Sequence, residues 1–237
     1  MAASDQDRPA AGIEFYGGYQ VYDENGIDLT TLRRNLTRTP EERLENNSRA
    51  AVFFDALRRS AHTGSTETSN RRPFMLDVPT LLRVLTEHKV EFVVIGGVAM
   101  VAHGSNHATL DLDVCYNRAP ENLAALSAAL TSLQAYLRGA PKGLPFKTDV
   151  PTLQVGLNFT LETAGGDLDV LGEVSGVGSY AQALARSEEK ELFGHRVPVL
   201  SLDGLIAAKK AAGRNKDRSH LLELEALKKL SEAPPQE

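Results

Sequence analysis

The 237-residue sequence has no tryptophan and a single cysteine, Cys115. One thiol forms no internal disulfide and builds no cysteine-ligated zinc site, so the redox evidence favours a reducing compartment. No apolar run approaches the roughly 18–20 residues that span a bilayer, and the start, MAASDQDRPA, lacks the apolar stretch of a secretory signal. A cytoplasmic protein without membrane association is expected. An excess of positive charge is missing too: 26 Lys+Arg against 31 Asp+Glu leave a formal net charge of -5. That balance argues against a broad footprint on duplex nucleic acid, while a local basic patch could still hold one RNA or a triphosphate. The histidines show no zinc-ligand spacing, and no serine or cysteine hydrolase triad is recognisable.

What is present suffices for one sizeable core, with 42% hydrophobic residues and 24% charged. Residues 1–27 are polar and aperiodic and read as a flexible arm that Phe15, Tyr16 and Tyr19 could dock locally. A helical prefix is expected over 28–61: Asp28 caps a helix carrying Leu29, Leu32 and Leu36, and Thr39-Pro40-Glu41-Glu42 starts a longer one. Ala50, Ala51, Phe53, Phe54 and Leu57 recur there at helical spacing, which predicts an amphipathic hairpin. Residues 62–73 read as a linker, 74–232 as the main domain with C-terminal helices, and 233–237 as a tail.

Within the main domain, Asp77 and Pro79 open a helix, and FVVI (92–95) is a buried-type strand ending at Gly96-Gly97. A small-residue helix from about Val98, a strand over 110–115 and a helix from Glu121 to about Leu133 follow. Residues 152–162 and 167–174 alternate like two strands of a hairpin. The rest holds a strand over 196–200, a helix from Ser201 or Asp203 that Gly213 stops, and a charged helix from about Lys216. The expected architecture is α/β, a small mixed sheet flanked by helices and preceded by a helical hairpin.

The chemistry concentrates in Gly96-Gly97 and Asp111-Leu112-Asp113. A strand puts residues two apart on one face, so both carboxylates aim at one spot while Leu112 and Val114 point into the core. Neighbouring carboxylates repel unless a cation lies between them, and oxygen-only ligation suits Mg²⁺ or Mn²⁺. In a two-metal arrangement such a site clamps the attacking and leaving oxygens of a displacement at phosphorus. The glycine pair lets backbone amides approach a phosphate, and the following helix directs its positive end there. Taken alone, a DxD pair or a GG pair is far more often a surface feature. Their order within one strand, helix and strand unit raises the odds.

IGGVAMVAHGSNHATLDLDV resembles the core signature of the nucleotidyltransferase superfamily, the DNA polymerase β-like fold. GGDLDVLGEVSGVGSY resembles the strand that carries that superfamily's third carboxylate. VLSLDGLIAAKKAAGRNKD is similar to the helical segment after the core in bacterial stand-alone members, so the likeness runs over roughly residues 76–230. It implies phosphate contacts at Gly96 and Gly97, with Thr109 in the signature, and metal ligation by Asp111 and Asp113. The third ligand is Asp169, favoured for its place deeper in the strand, or Asp167. In place of the arginine that relatives commonly carry before the DxD stands His107, a weaker partner for a triphosphate.

Lys209, Lys210, Arg214 and Lys216 gather positive charge at a helix end. They complement the helix dipole, or Lys209 reaches a phosphate, with the resemblance favouring Lys209. Cys115 shares the aspartate face but reads as a buried, inert thiol. The implied reaction transfers a nucleoside monophosphate from a nucleoside triphosphate to an unidentified acceptor, releasing pyrophosphate. The acceptor is a small molecule, a tRNA or a protein. The alternatives are a catalytically weak nucleotide-binding module, or a toxin–antitoxin component acting through an antitoxin partner. Homo-oligomerisation is open.

Overall fold

The structure, a computed structural model, describes residues 15–16, 19–61, 76–141 and 143–233. The expected linker over 62–73, and most of the tail, lie outside the described residues. Strands β1 (Phe15–Tyr16) and β2 (Tyr19–Gln20) pair within the segment expected as an arm, and Glu24 there meets Lys229. Helix α1 (Leu29–Leu36) is capped by Asp28, which accepts from the Thr31 amide. Helix α2 (Pro40–Ala61) begins in a reciprocal bond pair between Thr39 and Glu42.

The two prefix helices attach to the rest of the chain more than to each other. Leu29 and Leu32 of α1 pack with Ala226 and Leu227, and Leu44 of α2 belongs to the main core. The amphipathic seam expected along α2 holds at Ala51, which is buried, but Phe53 is 59% exposed. Arg43 binds α1 to α2 instead, donating to the carbonyls of Asn35 and Arg38 and also to that of Ala102.

The remaining elements build one sheet and its cover. In chain order they are α3 (Val78–Glu87), β3 (Phe92–Ile95), α4 (Gly96–Ala102), β4 (Asp111–Tyr116), α5 (Pro120–Ser132), β5 (Tyr136–Leu137) and α6 (Val150–Val155). Then come β6 (Asn158–Thr163), β7 (Gly166–Leu171), β8 (Glu173–Val174), β9 (Gly178–Ser179) and α7 (Tyr180–Leu184). The chain closes with β10 (Ser187–Leu192), β11 (His195–Leu200), α8 (Leu202–Ala212) and α9 (Asn215–Glu232). Seven strands form a mixed sheet in the order β10-β11-β3-β4-β7-β6-β5. Central β3, β4 and β7 are filled with branched residues because they are covered: Val93, Val94, Leu112, Val114, Leu168 and Val170 have no exposed surface.

One sequence expectation is corrected, and one strand was not foreseen. Residues 150–155 form helix α6, not the start of a strand, because Asp149 caps it through the Thr152 amide and Pro151 sits in its first turn. Strand β10, SEEKEL, has no apolar alternation to reveal it, and forms as the charged edge paired antiparallel to β11. The expected hairpin forms from shorter strands, β6 starting at Asn158 and β7 ending at Leu171, the strand expected over 196–200 runs over His195–Leu200, and α8 is capped by Ser201 and stopped by Gly213 at φ +60°.

Candidate functional site

Strands β4 and β7 run parallel in a register that pairs Asp111 with Asp167 and Asp113 with Asp169. Since Leu112, Val114, Leu168 and Val170 all face the core, strand alternation turns the four aspartates to the opposite face. Oxygens of Asp111, Asp113 and Asp169 lie within 4.8 Å of one another. Asp167 stands apart from that group and is 8% exposed.

Charge this dense is partly suppressed. Burial, with Asp111 and Asp169 nearby, pushes the Asp113 carboxyl up to about 7, against the Gly97 amide bonded to it and the charge of Lys209. Burial raises Asp167 to about 6, opposed by Arg138, and raises Asp169 as well. Such carboxylates gain most from a divalent cation, and an all-oxygen set at this spacing fits Mg²⁺ or Mn²⁺.

The two glycines are placed for the aspartate and its loop. Gly96 opens α4 at φ +61°, and a β-carbon there would collide with the Asp113 carboxylate. One on Gly97 would collide with the Thr109 side chain. Helix α4 starts at Gly96 itself, two residues earlier than expected, which is what brings the Gly97 amide onto Asp113. Thr109 donates through Oγ1 to Asp111.

His107 pairs with Glu223 of α9, a residue 5% exposed, and sets its ring edge-on to His220 at 4.2 Å. It therefore ties the loop before β4 to the last helix. Lys209 is 3.2 Å from Asp217, which also binds Arg214 at 2.7 Å. Burial pushes the Asp217 carboxyl up, but hydrogen bonds from Arg214 and Lys209 bring it down to about 2. Both cations also act on Asp113, lowering its pKa in the case of Lys209 and having their own raised in the case of Arg214. Lys210 pairs with Glu225, and the side chain of Lys216 lies outside the described residues. Cys115 is buried, and burial pushes its thiol up to about 12, as an inert cysteine requires.

Three residues were missed in the sequence. Asn47 of α2 accepts from the Thr109 amide at 3.0 Å and donates to the His107 carbonyl at 2.7 Å, clamping the loop from the prefix side. Asp217 organises the cations of α8 and α9; the only hint was an acid beside Arg214. Arg138 follows the short edge strand β5, bonds its amide to Thr160 and spans β6 to reach β7. Its guanidinium lies 2.7 Å from Asp167, 2.7 Å from Asp169 and 3.9 Å from Asp111.

No protein-family model and no curated protein matches the chain. Among solved structures it is similar to the antibiotic-resistance factor ANT(2'')-Ia in solution, at 16% identity and a TM-score of 0.41, over 64% of this chain and 80% of that one. It is similar to a protein of Thermotoga maritima assigned to the nucleotidyltransferases, at 17% identity and a TM-score of 0.41, over 65% of this chain and 89% of that one. ANT(2'')-Ia in complex with adenylyl-2''-tobramycin gives 17% identity and a TM-score of 0.40, over 64% and 86%. No helix among the described residues is long and apolar enough to cross a membrane. At 16–17% identity and TM-scores near 0.4 these likenesses carry no functional assignment for this chain.

Proposed function

We propose that the chain is a metal-dependent nucleotidyltransferase. The observation that carries this reading is the convergence of Asp111, Asp113 and Asp169 oxygens within 4.8 Å, beside a glycine pair and two cations. Asp111, Asp113 and Asp169 would hold Mg²⁺ or Mn²⁺, which when bound neutralises charge on the phosphoryl oxygens. Lys209 takes the phosphate end of the nucleoside triphosphate, with Gly96, Gly97, Thr109 and His107 shaping the near wall. Asp169 orients the acceptor hydroxyl and receives its proton. The acceptor oxygen bonds to the α-phosphorus as the bond to the bridging oxygen breaks, and pyrophosphate leaves. Catalysis on this reading is mainly positioning and charge neutralisation.

The test is thermal stability with Mg²⁺ and each nucleoside triphosphate, for wild type and the Asp111→Ala, Asp113→Ala double variant. Joint addition should raise the wild-type Tm by mass action and leave the variant unmoved. A wild type that responds to neither overturns the reading.

A second reading, a nucleotide-binding module or toxin–antitoxin component that works through a partner, is favoured by His107. It is engaged with Glu223, and the resemblance places an arginine there in relatives. Growth arrest on expression that survives Asp113→Ala would move the function to this reading.

A further inference from the structure

The acids of β4 and β7 already face a cation of the protein's own. Arg138 donates from Nη2 to Asp169 Oδ1 at 2.7 Å, and its Nη1 is 3.9 Å from Asp111 Oδ2. Those two acids also belong to the group that could share a metal. One set of oxygens thus meets two claims.

The hold on Asp167 is of another kind. Arg138 Nε lies 2.7 Å from Asp167 Oδ2 but lacks hydrogen-bond alignment, and Nε and Asp167 Oδ1 are both buried without a hydrogen-bond partner. A guanidinium seated squarely on a carboxylate makes two parallel bonds and leaves neither group wanting. Buried orphans of this type are costly, so the pair has a better arrangement within reach. It is blocked while Nη2 stays on Asp169.

We infer that Arg138 is an exchangeable counter-cation: when Asp111, Asp113 and Asp169 take a divalent cation, the guanidinium leaves Asp169 and settles on both oxygens of Asp167. This rests on the metal reading above. It gives Asp167 and Asp169, equivalent in the strand pattern, separate tasks. Asp169 serves the metal, and Asp167 is the standing partner of Arg138. In the metal-free protein Arg138 lessens the repulsion among the acids, and its competition weakens metal binding.

The experiment is Mn²⁺ titration followed by electron paramagnetic resonance on wild type, Arg138→Gln and the Asp111→Asn, Asp113→Asn double variant. Arg138→Gln removes the competitor and should bind Mn²⁺ roughly tenfold more tightly than wild type, in line with one unit charge removed a few ångströms from the site. Equal or weaker binding by Arg138→Gln, with wild type binding and the double variant silent, overturns the exchange and leaves the metal reading standing. A wild type that binds no Mn²⁺, or a double variant that binds as well as wild type, overturns both.

If Arg138→Gln does not fold, the wild type still decides. The arginine Nε–H signal that is absent in Arg138→Lys should move on Mg²⁺ addition with the midpoint of metal binding. A signal that stays in place through saturation overturns the exchange.

Discussion

Gly96 lies against the carboxylate of Asp113 so closely that no β-carbon fits between them, and it holds a φ of +61°. Gly96→Ala therefore meets two penalties, a left-handed backbone worth about 1–2 kcal/mol and a collision with a buried acid. The expected loss is about 2 kcal/mol or more by urea denaturation, together with loss of Mn²⁺ binding because Asp113 must turn away. A β-carbon on Gly97 would also collide, with Thr109 Oγ1 and Cβ, but Gly97 lacks the left-handed φ, so Gly97→Ala should cost less stability. Equal losses would show that the backbone penalty at Gly96 is not felt.

Much of this site could be read from the chain because its parts are local. FVVI ends at two glycines, and DLD alternates against Leu112 and Val114, so two aspartates and their turn follow from strand geometry alone. Choosing between Asp167 and Asp169 could not be done that way, since both share one face. What separates them is tertiary: Asp169 shares a group of oxygens with Asp111 and Asp113, and Arg138 meets both acids only because β5 pairs with β6 and β6 with β7. A lone arginine in AYLRGA carries no local sign of that. Likewise β10 and α6 escaped because edge pairing and an Asp149 cap outweigh the apolar pattern on which the reading relied.

Asn47 joins the prefix to the loop before β4 through two bonds, to the Thr109 amide and the His107 carbonyl. Asn47→Ala removes both and leaves a buried amide and carbonyl to find other partners. A loss of about 1–2 kcal/mol in urea is expected. Triphosphate-induced stabilisation should fall by more than that loss explains, since Thr109 bonds Asp111. Undiminished triphosphate stabilisation would confine Asn47 to a structural part.

Asp217, 2% exposed in its side chain, holds Lys209 and Arg214 together. Asp217→Asn keeps the shape and removes the charge, so about 2–3 kcal/mol should be lost at pH 7. The folded carboxyl sits at about 2, below an ordinary value of about 3.9, so its contribution is complete above that ordinary value and lost as pH falls toward 2. The difference between wild type and variant in urea should therefore be flat from pH 7 to 5 and shrink below 4. A difference already closing between pH 7 and 5 would assign the effect to another group.

His103 caps α4 at its C-terminal end with its ring buried and Nε2 placed 2.9 Å from the Leu200 carbonyl. Burial, with the charge of Lys190, brings its pKa down to about 4, so the folded ring is neutral and donates through Nε2. In the unfolded chain the same ring titrates near its ordinary value of about 6.5. Between those two values the unfolded chain carries a proton that the folded protein does not, so the contribution of the ring to stability is complete above about 6.5 and is lost as pH drops toward 4. His220, brought down to about 4 by burial and by the charges of His107 and Lys209, acts in the same window and the same direction. Asp113 and Asp167, whose folded carboxyls sit at about 7 and about 6, act in the opposite direction over the same window, so the effect of His103 is read as a difference between two proteins that share them. The stability of wild type in urea relative to His103→Gln, which keeps a donor for Leu200 and removes one titration, should fall from pH 7.5 through 6 to 5. A difference that stays constant over that range would mean that the folded ring takes its proton as readily as the unfolded one, and that the Leu200 carbonyl accepts from a cation.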